Sequence, residues 1–301
     1  TCLPRYLRFR RAVRNPGPCQ AKRLRRILRA NADTEYGREH RFRALDARQG
    51  ATDLPLTAFD DYRPSVERIR KGASSVLTHD AVRILQPTSG TSAAAKLIPF
   101  TRSLAQEFRA ALDAWIADLF LQRPRLALGC QYWSISPATG TAAPPDGRVP
   151  VGFLDDAEYF GKRRRWIVDR IMAVPAAVRD IPDAEAHRYV TALFLLRARR
   201  LALLSVWHPS FLTLLLEAVR EHWHSLLRDI EHGGVARAVN LPESVRARII
   251  PCLPPAPRCA RTLTQGAHDL RARATSGMPS ASPDLFTRVW PDLQMISCWC
   301  D

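Results

Sequence analysis

Four hydroxyl side chains, one glycine and one lysine fall within nine positions, Thr88-Ser89-Gly90-Thr91-Ser92-Ala93-Ala94-Ala95-Lys96. Side chains of these types suit phosphate, because hydroxyls and loop backbone N–H groups donate to its oxygens and a lysine brings a positive charge to them. The run is not a Walker A sequence: no Gly-Lys-Ser/Thr stands at the required spacing, and no helix start is indicated at Lys96. The same composition also suits an ordinary polar turn, so spacing alone leaves both readings open.

The flanking residues decide where such a loop would sit. Ala81-Val82-Arg83-Ile84-Leu85 has the apolar, β-branched character of a strand, and Leu97-Ile98-Pro99-Phe100 resumes an extended apolar run. The hydroxyl-rich stretch is therefore expected on a tight loop between two strands. Ser103 to Leu121 follows with Leu104, Phe108, Ala111, Leu112, Trp115 and Leu119 at three- and four-residue spacing, an amphipathic helix directly after the loop. Ser136 to Gly147, rich in proline and glycine, reads as a loop. Tyr159–Val178 and Asp183–Arg200 read as helices, Leu201–Trp207 as a buried strand, and Pro209 as the start of a helix running to about His232. Four prolines between Pro251 and Pro257 forbid regular structure there, Ser276–Pro283 is irregular, and Met295–Trp299 is a last short strand. Helices alternating with short apolar strands imply an α/β architecture.

Other constellations carry less chemistry. His222 and His224 are two apart and do not share a helix face, HEXXH is absent, and no G-x-S-x-G elbow supports a serine hydrolase. Asp155, Asp156 and Glu158 could offer carboxylates to magnesium, although such loop clusters are more often solvated, and no protein-held metal is expected. Cys298 with Cys300, and Cys252 with Cys259, lack the spacing of structural zinc sites, so thiols buried as small apolar groups are the expectation. Trp207-His208-Pro209-Ser210-Phe211 lies where a buried strand meets a helix, the place where α/β proteins form ligand pockets.

A net charge of +16 is the unusual feature of the composition. Residues 1–50 hold fourteen Arg/Lys against four Asp/Glu, and the whole chain has only four lysines. Leu24, Ile27 and Leu28 recur at helical spacing among the arginines, which reads as an amphipathic helix with a solvated basic face, and no nucleic-acid recognition motif accompanies the charge. An odd number of cysteines, seven in 301 residues, fits a reducing, cytoplasmic setting. No apolar run approaches the ~18 residues of a transmembrane helix, so no membrane association is expected. The chain opens on Thr1, which points to a missing or processed start.

The loop 88–96 resembles the first nucleotide-phosphate motif of the auxin-responsive acyl-acid amido synthetases, a family within the luciferase-like adenylate-forming enzymes. Asn31-Ala32-Asp33-Thr34-Glu35-Tyr36-Gly37, Leu54-Pro55-Leu56-Thr57 and Asp61-Tyr62-Arg63-Pro64 resemble the family's N-terminal segments. Residues 132–137, 150–156 and 205–219 look like its bacterial branch, and Val289–Leu293 with Ile296–Trp299 continue the match in colinear order. The chain departs from the family by stopping at Asp301, before the segments that grip adenine and ribose and before the small mobile C-terminal domain. It also has Ala93-Ala94-Ala95 where many relatives keep a glycine.

The resemblance implies an α/β fold: the N-terminal large domain of an adenylate-forming enzyme, mixed sheets flanked by helices, truncated, with 1–301 a partial domain. It implies ATP and Mg2+ as cofactors and a small-molecule carboxylic acid and an amino acid as partners, with no specific nucleic acid. Thr88, Ser89, Gly90, Thr91, Ser92 and Lys96 would hold the β- and γ-phosphates, Lys96 offsetting charge on the leaving pyrophosphate. Phe108, Leu112 and Trp115, with Trp207, would line the acyl pocket, although plant relatives use polar side chains at some of these helix positions. A fragment of this extent is expected not to complete the reaction. A thioester-forming relative would share the loop but accept coenzyme A, and a non-enzymatic basic module would bind nucleic acid and ignore ATP.

Overall fold

The structure, a computed structural model, describes residues 2–46, 54–88, 96–134, 148–152, 169–236, 239–273 and 288–298. Two compact units emerge, Thr1–Leu119 with Gly140–Gly161, and Phe120–Thr139 with Lys162–Asp301.

In the first unit, β1 (Val82–Pro87) and β2 (Leu97–Thr101) form the antiparallel hairpin that the two apolar runs imply, with Pro87 opposite Leu97 and Leu85 opposite Pro99. Leu85 is fully buried and also bridges Val151 in parallel, through Leu85 N–H to Pro150 O (2.9 Å) and Gly152 N–H to Leu85 O (3.0 Å). The inner face of the hairpin covers Val66 and Ile69 of helix α4 (Phe59–Arg70) together with Val76. Helices α1 (Leu3–Arg14) and α2 (Pro16–Ala30) precede them, with Pro4 and Pro16 in the first turns, where a missing N–H leaves no bond unmade. Of the apolar residues Leu24, Ile27 and Leu28, only Leu28 is buried.

In the second unit, β3 (Cys130–Trp133), β4 (Leu201–Val206) and β5 (Met295–Cys298) form a parallel sheet in the order β3-β4-β5. Helix α6 (Ala184–Arg197), capped by the Asp183 carboxylate on Ala186 N–H, is buried along nearly its whole length against this sheet's core. The expected strands at 201–207 and 295–299 are thus present as far as the described residues reach.

Three expectations are corrected. The helix expected over Tyr159–Val178 ends at Ile171 within the described residues; Met172 bridges Gln131, and Ala176–Asp180 form a 3₁₀ turn. Pro175 explains the stop, since its ring excludes the α region for Val174 and removes an N–H donor. The single helix expected from Pro209 to His232 is two, α7 (Pro209–Glu221) and α8 (Trp223–His232), broken at His222. The proline-rich run Pro251–Pro257 admits a 3₁₀ turn at Ile250–Cys252, and Pro257 opens a helix extending to Arg273.

Buried polar groups in this second unit are mostly satisfied. Tyr189 donates to Asp229 Oδ2 (2.8 Å), which also accepts Ala236 N–H (2.9 Å); burial and the neighbouring carboxylate both push the phenol's pKa up. His187 is the exception, 7% exposed with Nε2 unpartnered. Burial, then the charge of Arg188, lowers its pKa from 6.5 to about 4. Between these values the unfolded chain binds a proton that the folded chain does not, so stability present above pH 6.5 is lost as pH falls toward 4. The loss amounts to roughly 3 kcal/mol at its limit. In urea titrations across pH 4–7, His187→Phe is expected to flatten the wild-type profile in that window. Parallel profiles for the two proteins would show that His187 ionises freely.

Candidate active site

Thr88 and Lys96 close the hydroxyl-rich loop on themselves: Thr88 N–H donates to Lys96 O at 2.9 Å, one rung beyond the Pro87–Leu97 pair. Both residues are exposed. Ser89, Gly90, Thr91 and Ser92 lie outside the described residues, as do Asp155, Asp156 and Glu158. The ends of the loop are therefore set by ladder hydrogen bonding, and a cation stands at its base.

That cation has a specific neighbour. Lys96 Nζ lies 6.0 Å from the centroid of the Phe59 ring, and Arg63 Cζ lies 5.8 Å from the same centroid. Both distances fall within the range in which a ring quadrupole attracts a cation. Phe59 is the first residue of α4 and Arg63 stands one turn later, so the helix start presents an aromatic plate flanked by two positive charges. The i, i+4 relation of Phe59 and Arg63 places the two on one face of α4.

Helix α4 is itself fixed by the segment Asn31–Gly37. Thr34 Oγ1 donates to Asn31 O (2.7 Å) and accepts Gly37 N–H (2.9 Å), which caps the short helix α3 (Glu35–Glu39). Glu35 takes two hydrogen bonds from Arg68 of α4, at 2.6 and 2.8 Å, and this guanidinium holds its pKa below the usual carboxylate range. Tyr36 shares a hydroxyl contact with Tyr62 (3.2 Å), which meets Thr57 Oγ1 (2.7 Å); burial, then the Tyr62 contact, pushes the Tyr36 phenol up to about 12. Glu35 and Tyr36 also donate backbone N–H groups to Ser75 O and Val76 O, on the approach to β1. The conspicuous polar segment of the N-terminus thus ties α4 to the hairpin.

Helix α5 (Arg102–Gln122) leaves β2 without a connector, its first turn capped by Thr101 Oγ1 on Leu104 N–H (3.2 Å). Phe108, Leu112 and Trp115 are half-buried along one line of this helix, whereas Leu104 and Ala111, expected on the same buried face, are exposed. The most buried positions before the unit boundary are instead Asp113, Ala114, Ala117 and Leu119. A carboxylate is tolerated there because Arg5 Nη1 stands 3.3 Å from Asp113 Oδ2 and the Cys2 thiol donates to Oδ1 at 3.4 Å.

Trp207 belongs to the second unit. It follows β4 at the carboxyl end of the parallel sheet, 47% exposed, and His208 caps the helix that begins at Pro209. Phe211 (47% exposed) and Leu214 (44%) stand on the helix that follows, separated from Trp207 by the extended His208. Crevices at the carboxyl ends of parallel strands are where α/β folds hold ligands.

This mixed α/β arrangement is that of an acyl acid amido synthetase's N-terminal half. The chain matches the structure of GH3.15 acyl acid amido synthetase with a TM-score of 0.75 at 21% identity, over 95% of this chain and 49% of that one. A structure of AtGH3.15 acyl acid amido synthetase in complex with 2,4-DB matches equally well, with a TM-score of 0.75 at 20% identity, over 93% and 47%. The chain belongs to the GH3 family, whose N-terminal domain matches residues 5–300. Indole-3-acetic acid-amido synthetase GH3.3 of Arabidopsis thaliana is 24% identical over 94% of this chain and 47% of its own length. Probable indole-3-acetic acid-amido synthetase GH3.12 of Oryza sativa subsp. japonica is 28% identical over 81% and 41%. The chain therefore spans about half the length of the curated relatives it matches. The resemblance drawn from the loop and its colinear segments is borne out.

Proposed function

We propose that this chain supplies the triphosphate-binding hairpin and acyl-pocket walls of an ATP-dependent acyl-acid amido synthetase, which adenylates a carboxylate and passes the acyl group to an amino acid. The observation that carries the reading is the hydroxyl-rich loop closed by the Thr88–Lys96 hydrogen bond in a chain of this family. Thr88 through its hydroxyl, and Ser89, Gly90, Thr91 and Ser92 through hydroxyls and backbone N–H groups, hold β- and γ-phosphate oxygens. Lys96 faces the charge that accumulates on pyrophosphate as the carboxylate oxygen bonds to the α-phosphorus and the bridging oxygen departs. Phe59 keeps the Lys96 ammonium near the loop base. Phe108, Leu112 and Trp115 offer apolar surface to the acyl group.

Among the described residues no group of three or more His, Cys, Asp or Glu could hold a metal ion by itself. Mg2+ would be carried on the triphosphate oxygens, where it would supply charge neutralisation. The reading is tested by thermal melting of this chain. ATP with Mg2+, and tripolyphosphate with Mg2+, are expected to raise the melting temperature, by about 2.7 kcal/mol of added stability at a hundredfold excess over Kd. AMP is expected to do much less. No shift with ATP or tripolyphosphate would overturn the phosphate-loop assignment.

A further inference from the structure

Residues 1–30 contain ten basic side chains and no acidic one. The structure adds what sequence patterning did not suggest: no residue of α1 is buried, and Leu3, Leu7, Phe9 and Val13 are 46, 45, 58 and 59% exposed. At about 100° per residue, Leu3 and Leu7 form one ridge and Phe9 and Val13 a second, about 120° round the helix; Tyr6 and Arg10 occupy the arc between them, Arg14 lies in line with the first ridge, and Arg11 and Arg8 follow on its outer flank. Arg10 Cζ lies 5.8 Å from the Tyr6 ring centroid, its stem along the apolar side. Arg8, Arg11 and Arg14 make no ion pair among the described residues.

The pair of helices is nonetheless anchored. Cys2 and Arg5 reach the buried Asp113 of α5 at 3.4 and 3.3 Å, while Arg23 and Arg26 of α2 pair with Glu107 at 3.4 and 2.8 Å. Those contacts engage Arg5, Arg23 and Arg26, while Arg8, Arg10, Arg11 and Arg14 and the four apolar side chains stay exposed.

We propose that α1 is a docking face for an anionic lipid surface, on which it lies parallel to the bilayer plane. Charge and exposed apolar area must be explained together, and this decides among occupants. A nucleic acid answers the arginines but leaves four large apolar side chains in water. A second copy of the chain answers the apolar ridges but sets Arg8, Arg10, Arg11 and Arg14 of one copy against the same four of the other. An anionic bilayer answers both: apolar side chains enter the headgroup–acyl boundary to about 5–10 Å, and guanidiniums reach back to lipid phosphates. No helix among the described residues is long and apolar enough to cross a membrane, so the mode is interfacial. The solvated basic face expected from the sequence becomes a binding face because α1 has nothing to bury its apolar ridges against.

The test is co-sedimentation of this chain with phosphatidylcholine vesicles, with or without about one-third phosphatidylglycerol. At least about tenfold tighter binding to the anionic vesicles is expected, weakened strongly by high salt. Leu7→Ser with Phe9→Ser is expected to weaken it by at least about tenfold, since both side chains leave water on binding. Leu128→Ser, at another exposed leucine, is expected to leave binding unchanged. Both changes are at exposed positions, and an unaltered melting curve confirms that the variants fold. No preference for anionic vesicles would overturn the proposal. So would binding that salt abolishes but the apolar double variant does not alter, matched by equal affinity for duplex DNA; that pattern marks plain polyanion attraction. Self-association relieved by the double variant, without vesicle binding, would assign the face to a second copy instead.

Discussion

Lys96→Ala, in a chain extended to the length of its relatives, is expected to lower acyl-adenylate formation by about 10²–10³-fold, the loss seen when one preorganised donor to a developing charge is removed. Folding stability should barely change. Lys96 is exposed, and what it contributes to the fold is one cation–π contact with Phe59 at 6.0 Å. At an exposed site such a contact is worth about 0.5–1 kcal/mol. The two roles separate cleanly because the catalytic loss is several times larger. Phe59→Leu removes the ring and keeps the ammonium, so it should reduce the rate much less than Lys96→Ala while matching its small effect on melting. Lys96→Arg should recover only part of the rate, since a planar fork replaces a compact charge. Pyrophosphate release and thermal melting, measured on all three variants, decide the matter. If Lys96→Ala retained the wild-type rate, the lysine would be a surface cation and the loop an ordinary polar turn.

The hairpin was legible because its signal is local: β-branched and apolar residues flank a hydroxyl-rich run, and strand pairing needs little else. The parallel strands at Leu201–Val206 and Met295–Cys298 were legible as continuous apolar runs for the same reason. What escaped depends on partners far away in sequence. Nothing near His222 resembles a stop signal, with no glycine or proline between 210 and 232. The helix breaks where the His222 ring meets Tyr189 edge-on at 5.4 Å and its Nε2 lies 3.6 Å from Glu185. The buried line of α5 was displaced by a similar cause, because Asp113 becomes acceptable inside once Arg5, more than a hundred residues earlier, stands beside it. Helical spacing ranks a residue by its own polarity and is blind to such a pairing. The positioning roles of Phe59 and Arg63 were hidden likewise, since only the folded hairpin brings Lys96 over the start of α4.

The segment Asn31–Gly37 shows why a family motif need not be a ligand site, and Gly37→Ala measures it. A Cβ added at Gly37 would stand 2.0 Å from Asn31 O and 3.0 Å from both Asn31 C and Thr34 Oγ1. A backbone oxygen at that distance must move. It is not free to do so: Asn31 O accepts both Thr34 N–H (3.1 Å) and Thr34 Oγ1 (2.7 Å). The Asn31 side chain is tied at both ends as well, donating to Ile27 O (2.9 Å) and accepting His79 N–H (3.0 Å). Overpacking of this kind costs about 1–3 kcal/mol, and each buried hydrogen bond broken in relief adds about 1 kcal/mol. A loss of at least about 3 kcal/mol is therefore expected, enough to lower the melting temperature of a unit this size by roughly 10 °C. Gly17→Ala is the comparison, because apart from its chain neighbours a Cβ there meets nothing within 4 Å, and the residue lies in the first turn of α2. Alanine is the better helix former, but the ring of Pro18 crowds a Cβ on the residue before it, so that change should stay within about 1 kcal/mol of the wild type. A loss at Gly37 well beyond that at Gly17 would show that the motif is a packing device which sets α4 and the hairpin in register. A Gly37→Ala protein that melts within about 1 kcal/mol of the wild type would mean that the turn relaxes without cost, and the segment's conspicuous residues would then need a different explanation.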